Sequence, residues 1–244
     1  MRLNRVFVED ALRPHTAVEV SGPAATHIVR VLRLKSADAL TVFDGRGGEY
    51  EARIDAIRKD RVFVSVGAHR AIERESPLAA TLAQGISRGE RMDFVVQKAT
   101  ELGVRRIVPL ITERSVVRLD PQQAESKRRH WRAVAVAACE QSGRNSVPEV
   151  ALPASLIAFL ATAGAAADAA RIVLSPRGGT RLRDLQSVTG VIMLIGPEGG
   201  LSEIELETAV HAGFQAVSLG PRVLRTETAA IAALAAIQHQ LGDI

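Results

Sequence analysis

The sequence predicts an α/β protein with a small N-terminal antiparallel β-barrel or sheet, followed by a larger C-terminal domain on a mainly parallel sheet. Three observations carry this expectation. Short β-branched segments crowd the first 70 residues. From Leu78 onward strand and helix patterns alternate, which calls for crossover helices covering both faces of a parallel sheet. Between the two regimes lies a polar, proline-bearing stretch, residues 71–78, that reads as a linker and places the domains at 1–72 and 76–244. With 244 residues, 47% of them apolar, the chain sits near the length at which one core divides into two.

In the first region Ala39–Asp44, Glu49–Ile57 and Arg61–Gly67 read as strands, separated by Gly45-Arg46-Gly47-Gly48 and Arg58-Lys59-Asp60. Between Gly22 and Lys35, Ile28, Val31 and Leu32 recur at helical spacing, leaving His27, Arg30, Arg33 and Lys35 as a basic edge. The second region predicts strands at Thr81–Ile86, Arg106–Ile111, Arg171–Ser175, Val191–Ile195 and Ala216–Leu219. Its helices are expected at Met92–Leu102, Gln122–Gln141, Ser202–Ala212 and Thr226–Leu241. The last is nearly apolar all round, so it should be buried, in the core or against a second subunit.

Composition removes several function classes. Aromatic residues make up 3%, too few for a sheet that stacks bases on exposed rings, so any RNA contact should be mainly cationic. A single cysteine, Cys139, permits no internal disulfide and no cysteine-rich zinc site, and the six histidines lack HExxH spacing, so no metal is expected. The longest uncharged stretch, Val150 to Ala167, is interrupted by Pro153 and Gly164 and reads as an Ala-rich helix or loop, not a membrane span. No signal-peptide pattern opens the chain, and a cytoplasmic protein is expected. The net charge of +4 resolves into +2 over residues 1–75, +4 over 76–150 and −2 over 151–244, so the basic excess lies in the first two-thirds. That distribution suits a phosphate-facing first part, although an ordinary solvated surface shows the same balance.

The strongest local signal is Ile195-Gly196-Pro197-Glu198-Gly199-Gly200-Leu201-Ser202-Glu203-Ile204-Glu205. A buried strand enters a glycine-rich loop and then a helix opened by Ser202, with Glu205 three residues on as a capping box. Ligands of open parallel sheets bind at such strand ends. Neither a Gly-Lys-Ser/Thr ending nor GxGxxG spacing is present, and Glu198 disfavours a polyphosphate, leaving a neutral or cationic ligand or a plain β–α turn. Leu219-Gly220-Pro221-Arg222-Val223-Leu224-Arg225-Thr226-Glu227-Thr228-Ala229 repeats the pattern and could form the second wall of one pocket. Thr112-Glu113-Arg114-Ser115 and Glu140-Gln141-Ser142-Gly143-Arg144-Asn145 add polar clusters at element ends, with Gly143 as a helix stop.

Together with His27-Ile28-Val29-Arg30 and Gln97-Lys98-Ala99-Thr100-Glu101-Leu102-Gly103, these segments resemble the SPOUT-fold RNA methyltransferases, in particular those that make N3-methyluridine in small-subunit (16S) ribosomal RNA. The resemblance implies a C-terminal α/β domain tied in a trefoil knot, an N-terminal PUA-like barrel and a homodimer. It also implies S-adenosylmethionine bound by Leu174, Ser175, Ile195, Gly196, Pro197, Glu198, Gly199, Gly200, Leu219, Gly220, Arg222, Val223, Leu224, Thr226, Thr228 and Ala229. Methylating uracil N3 requires removal of the imide proton and stabilisation of the resulting anion, for which Arg225 or Arg144 is the candidate. Glu198 or Glu227 would orient cofactor or base. RNA phosphates would meet His27, Arg30, Arg33, Arg88, Arg114 and Arg118. A non-catalytic RNA-binding or ribosome-assembly protein is the competing reading and requires no affinity for the cofactor.

Overall fold

The structure is a computed structural model that describes residues 4–115, 118–163, 168–177, 179–185 and 188–244. Two compact units divide it: the chain up to Glu75 together with Val136–Val147, and Ser76–Ala135 together with Pro148–Ile244.

In the first unit, β1 (Arg5–Phe7), β2 (Ala17–Val20), β3 (Ala39–Phe43), β4 (Glu49–Arg58) and β5 (Arg61–Arg70) form a sheet in the order β1-β3-β4-β5-β2. Its ladders are antiparallel except β1 against β3, which is parallel and departs from the all-antiparallel expectation. Alternation sets the buried face: Val62, Val64 and Val66 are buried in β5, while Phe63 between them is partly exposed and Arg61 and Ser65 are exposed. Ile28, Leu40, Val42 and Ile54 complete that core.

The helical segment expected between Gly22 and Lys35 is a short α1 (Gly22–Thr26) followed by a π-helical turn over His27–Val31. Ile28 is buried and Leu32 partly so, but Val31 is 50% exposed. The wider π turn rotates Val31 off the apolar face, and Arg33 at φ +58 ends the segment.

The unit's claim on residues 136–147, which the sequence assigns to the second domain, has a polar cause. Arg5 forms a buried ion pair with Glu49, and its Nη2 donates to Asn145 Oδ1 (2.8 Å) and to the Arg144 carbonyl (3.1 Å). Asn145 Nδ2 donates to the Ile72 carbonyl at 2.6 Å, and Arg144 pairs with Glu75. A dense set of charge-assisted bonds thus fastens the loop after the helix stop Gly143, whose φ is +88.

The second unit contains β6 (Ala79–Gly85), α2 (Glu90–Glu101), β7 (Arg106–Ile111), α3 (Pro121–Ser142), whose end from Val136 belongs to the first unit, β8 (Glu149–Val150) and β9 (Ala154–Ser155). It continues through α4 (Leu156–Ala163), β10 (Ala169–Leu174), β11 (Thr180–Arg181), β12 (Gly190–Ile195), α5 (Glu203–His211), β13 (Gln215–Ser218) and α6 (Thr226–Leu241). The sheet order is β11-β13-β10-β12-β6-β7-β8, with β9 on β7, and every ladder is parallel. β12 is buried along its whole length, as a central strand covered on both faces must be. Of the uncharged stretch 150–167, α4 takes the middle and residues 164–167 lie outside the described residues.

Helix α6 is only half buried within the single chain. It buries Ala230, Ala233, Leu234 and Ile237, whereas Thr228, Ala232 and Ala236 are exposed in the single chain. One face therefore packs inward, mainly against α2 and also against β12, and the other is a surface of small residues. Among the described residues no helix is long and apolar enough to cross a membrane.

Candidate active site

The carboxyl ends of β10, β12 and β13 lie side by side, since β10 pairs with both of the others, and the loops that leave them enclose a cavity of about 630 Å³. That volume is in the range of small-molecule sites. Each wall is fixed by the sequence in a definable way.

The loop after β12 folds because two positions have no side chain. A Cβ on Gly196 would sit 2.8 Å from backbone atoms of Gly200 and Leu201, and Gly200 has φ +68. The Gly200 N–H donates to the Pro197 carbonyl at 2.8 Å, closing the turn. The capping box forms as predicted: Ser202 Oγ accepts from Glu205 N (3.2 Å), and Glu205 Oε2 accepts from Ser202 N (3.0 Å). Glu205 Oε1 also accepts from Glu113 N at 2.8 Å, and Arg114 Nη1 donates to the Gly199 carbonyl at 3.0 Å. The segment after β7 is thereby docked on the glycine loop.

Glu198 is held from the other side. Its Oε1 accepts from the Arg88 backbone N–H and from Arg91 Nη1, both at 2.9 Å. Partial burial alone would raise its pKa, but those bonds, its own backbone N–H and the Arg91 charge outweigh burial and leave it below the usual carboxylate value. Glu198 is thus an ionised, already paired group that fixes the loop.

The loop after β13 turns at Gly220, φ +113, and enters α6 at Thr226. Thr226 Oγ1 donates to the Gly196 carbonyl at 2.6 Å and accepts from Gln84 Nε2 at 2.9 Å. Gln84 is fully buried at the end of β6, where a Cβ on the next residue, Gly85, would fall 2.4 Å from Pro197 N. One buried hydroxyl therefore joins both glycine-bearing loops and β6. The third wall begins at Ser175, whose N–H donates to the Val217 carbonyl at 3.0 Å.

A family model described as an RNA methyltransferase domain matches residues 74–238, and a second, an RNA methyltransferase PUA domain, matches residues 20–67. The chain belongs to this RNA methyltransferase family. It is 33% identical, over its whole length and 98% of the relative's, to a ribosomal RNA small subunit methyltransferase E of Buchnera aphidicola subsp. Schizaphis graminum. A Bacillus subtilis protein of the same name is 30% identical over 98% of this chain and 97% of its own. Among solved structures, a Legionella pneumophila protein in complex with the cofactor SAM is 41% identical with TM-score 0.95 over 100% of both chains. The Neisseria gonorrhoeae ribosomal RNA small subunit methyltransferase E bound to S-adenosyl methionine is 37% identical with TM-score 0.91 over 99% of each.

In this methyltransferase the structure brings most of the expected cofactor residues together. Leu174, Ser175, Ile195 to Gly200, Leu219, Gly220, Arg222, Val223, Leu224, Thr226 and Ala229 line the cavity; Thr228 does not, lying on the exposed face of α6. Of the candidate catalytic residues, Arg225, Glu198 and Glu227 line it, whereas Arg144 is buried in the first unit with Glu75. Arg114 also lines the cavity, Arg88 and Arg118 are exposed in the same unit, and His27, Arg30 and Arg33 lie at the π turn of the first. His27 Nε2 is 3.6 Å from Glu140 Oε2.

Sequence reasoning missed Gln84, Arg91 and the linking role of Thr226. Gln84 had a signal, a polar residue inside an apolar strand; Arg91 had none. Burial pushes the Cys139 thiol up to about 12, so it supplies no thiolate. Among the described residues no three His, Cys, Asp or Glu are grouped to hold a metal ion.

Proposed function

We propose that the chain is an S-adenosylmethionine-dependent methyltransferase of small-subunit ribosomal RNA, acting on N3 of a uridine. The carrying observation is the cavity: three loops at adjacent parallel-strand ends, in a chain of a family whose close structural relatives were solved with that cofactor. The residues present fit the group. Glycine positions let backbone approach a ligand closely, Ile195, Leu219 and Leu224 offer apolar surface, and Glu227 Oε2 is closed to solvent with no donor among the described residues. The loops after β10, β12 and β13 would hold the cofactor, which supplies a methyl group already activated by its sulfonium.

The protein's own task is then alignment and charge. The acceptor base must be held with N3 directed at the methyl, and the imide anion left by proton removal needs a cation near its carbonyl oxygens. Arg225 suits that task better than Arg144, because it is exposed at the cavity and has no ion-pair partner among the described residues. N3 lies on the pairing edge, so the target base must be unpaired or flipped out. His27, Arg30, Arg33, Arg88 and Arg118 are the cations assigned to RNA phosphates, with salt-sensitive binding as the consequence; Arg114 serves the glycine loop as well. The finer architecture belongs to the same proposal: a SPOUT-type domain knotted where the chain passes through the loops at β12 and β13, a PUA-like closure of the first sheet, a homodimer using the small-residue face of α6, and action in the cytoplasm on the assembled subunit.

The test is transfer of labelled methyl to small ribosomal subunits lacking the modification, and to protein-free RNA, with nucleoside mass spectrometry. Labelled N3-methyluridine is the expected product, in subunits above free RNA. Absence of transfer together with absence of cofactor binding would favour a non-catalytic RNA-binding protein.

A further inference from the structure

Three carboxylates line the cavity, and two of them are answered by cations. Glu198 pairs with Arg91 at 2.9 Å, and Glu203 faces Arg177 at 3.6 Å with both side chains almost fully exposed. Glu227 is different. It makes no ion pair and no hydrogen bond with any described residue, and its Oε2 is shut away from solvent. Although it sits in the first turn of α6, no N–H of that turn bonds to it among the described residues, so it is no cap. Arg222 and Arg225, on the loop that leads into α6, also line the cavity but form no ion pair with Glu227 among the described residues.

A carboxylate in this state is poorly hydrated on one side and has no donor to replace the lost water. Buried acceptors are nearly always satisfied in native folds, and one left unsatisfied at a cavity wall calls for a partner that the chain itself does not supply. Partial withdrawal from water also strengthens attraction to a cation that enters the same space, because less solvent stands between the charges. The field is ready before the ligand arrives, as preorganised sites require. RNA is a polyanion and would be repelled, and a uracil ring is neutral, so neither is the natural counterpart.

We propose that Glu227 is the group by which this cavity selects a positively charged ligand, its carboxylate pairing with a cationic centre of the bound cofactor. This rests on the cavity being the S-adenosylmethionine site. The cofactor carries two such centres, an ammonium and a sulfonium. They have different consequences: the demethylated product keeps the ammonium but has lost the sulfonium charge, so a sulfonium partner would hold the cofactor and release the product, while an ammonium partner would hold both.

Isothermal titration calorimetry on the full chain separates these cases. S-adenosylmethionine and S-adenosylhomocysteine are titrated into wild type, Glu227→Gln and Glu227→Asp. Glu227→Gln should weaken S-adenosylmethionine at least tenfold, and Glu227→Asp, which keeps the charge, should recover part of that loss. If S-adenosylhomocysteine stays within threefold, the partner is the sulfonium; if both ligands weaken alike, it is the ammonium. S-adenosylmethionine binding within threefold of wild type in Glu227→Gln overturns the proposal, even if methyl transfer is lost, and equal weakening by Gln and Asp does the same. The unliganded unfolding midpoint of Glu227→Gln should equal or exceed that of wild type, since an unbalanced charge is removed; a lower midpoint assigns Glu227 to the fold and overturns the proposal. Failure of wild type itself to bind S-adenosylmethionine would instead bring down the cofactor reading, and this proposal with it.

Discussion

The hydroxyl of Thr226 donates to the carbonyl of Gly196 at 2.6 Å, tying the start of the last helix to the end of the central strand. The same oxygen accepts from Gln84 at 2.9 Å, so three chain segments far apart in sequence meet on one side chain. Replacing it by valine keeps the shape and removes both bonds. Thr226→Val leaves the Gly196 carbonyl without its short donor inside a buried cluster, which costs about 1–3 kcal/mol. For a chain of this length that lowers the unfolding midpoint by about 2–4 °C per kcal/mol. Differential scanning calorimetry checks the stability effect, and loss of part of the midpoint rise produced by S-adenosylmethionine checks the effect on the loops. An unchanged midpoint would mean that the hydroxyl contributes nothing.

The Gly196 position tests the loop from the opposite side. An added Cβ meets backbone atoms of Gly200 and Leu201 at 2.8 Å, and backbone cannot swing away as a side chain tip can. Gly196→Ala should therefore displace the turn, costing about 1–3 kcal/mol of stability as overpacking does and weakening S-adenosylmethionine by more than tenfold in calorimetry. Gly220→Ala is strained by φ +113 but meets no neighbour within 4 Å, so its effect should be smaller. Equal effects at the two glycines would contradict the close-approach argument.

The contrast between these residues shows what the sequence makes legible. Glycines after an apolar run and the Ser202–Glu205 box announce their local geometry, because the bonds involved span three or four residues. The Thr226–Gln84 bond joins positions 142 apart, and nothing in either local pattern names the other. Likewise Arg144 reads from the sequence as a candidate for stabilising the imide anion, while its burial with Glu75 depends on how the chain returns to the first unit. The π turn at His27–Val31 escapes periodicity for a different reason: one inserted residue shifts every later side chain, and Val31 ends on the wrong face. The alternation of strand and helix survives because it is set by dozens of residues at once.

Glu140 supplies a pH test in the first unit. Burial raises its pKa above the ordinary value, against the lowering influence of the Phe7 N–H, His27 and Arg5. A carboxyl whose folded pKa is raised binds its proton more tightly in the folded state, so stability falls as pH rises from the unfolded pKa, about 4.3, through the folded one. Glu140→Gln is neutral at every pH and can still accept from Phe7 N. It should match wild type near pH 4 and unfold at a higher temperature near pH 8. A midpoint difference that does not grow between these pH values would refute the assignment.

Arg225 and Arg144 make opposite predictions, and the difference identifies the arginine that acts on the acceptor base. Arg225 is exposed at the cavity with no ion-pair partner among the described residues, so its charge is available to a developing anion. Arg225→Ala should reduce single-turnover methyl transfer by about 10²–10³, the usual cost of one preorganised anion-stabilising group, with S-adenosylmethionine affinity within threefold and an unchanged midpoint. Arg225→Lys should recover part of the rate, since a point charge remains while the two-pronged donor is lost. Arg144→Ala strands the carboxylate of Glu75, whose side chain is 13% exposed. Breaking a buried pair from one side costs about 3–5 kcal/mol, so its defect should appear first as a fall in unfolding midpoint. Full transfer activity in Arg225→Ala, or a rate loss matched by lost cofactor affinity, would remove Arg225 from the chemical step. A stable Arg144→Ala variant with intact cofactor binding and no transfer would put Arg144 there instead.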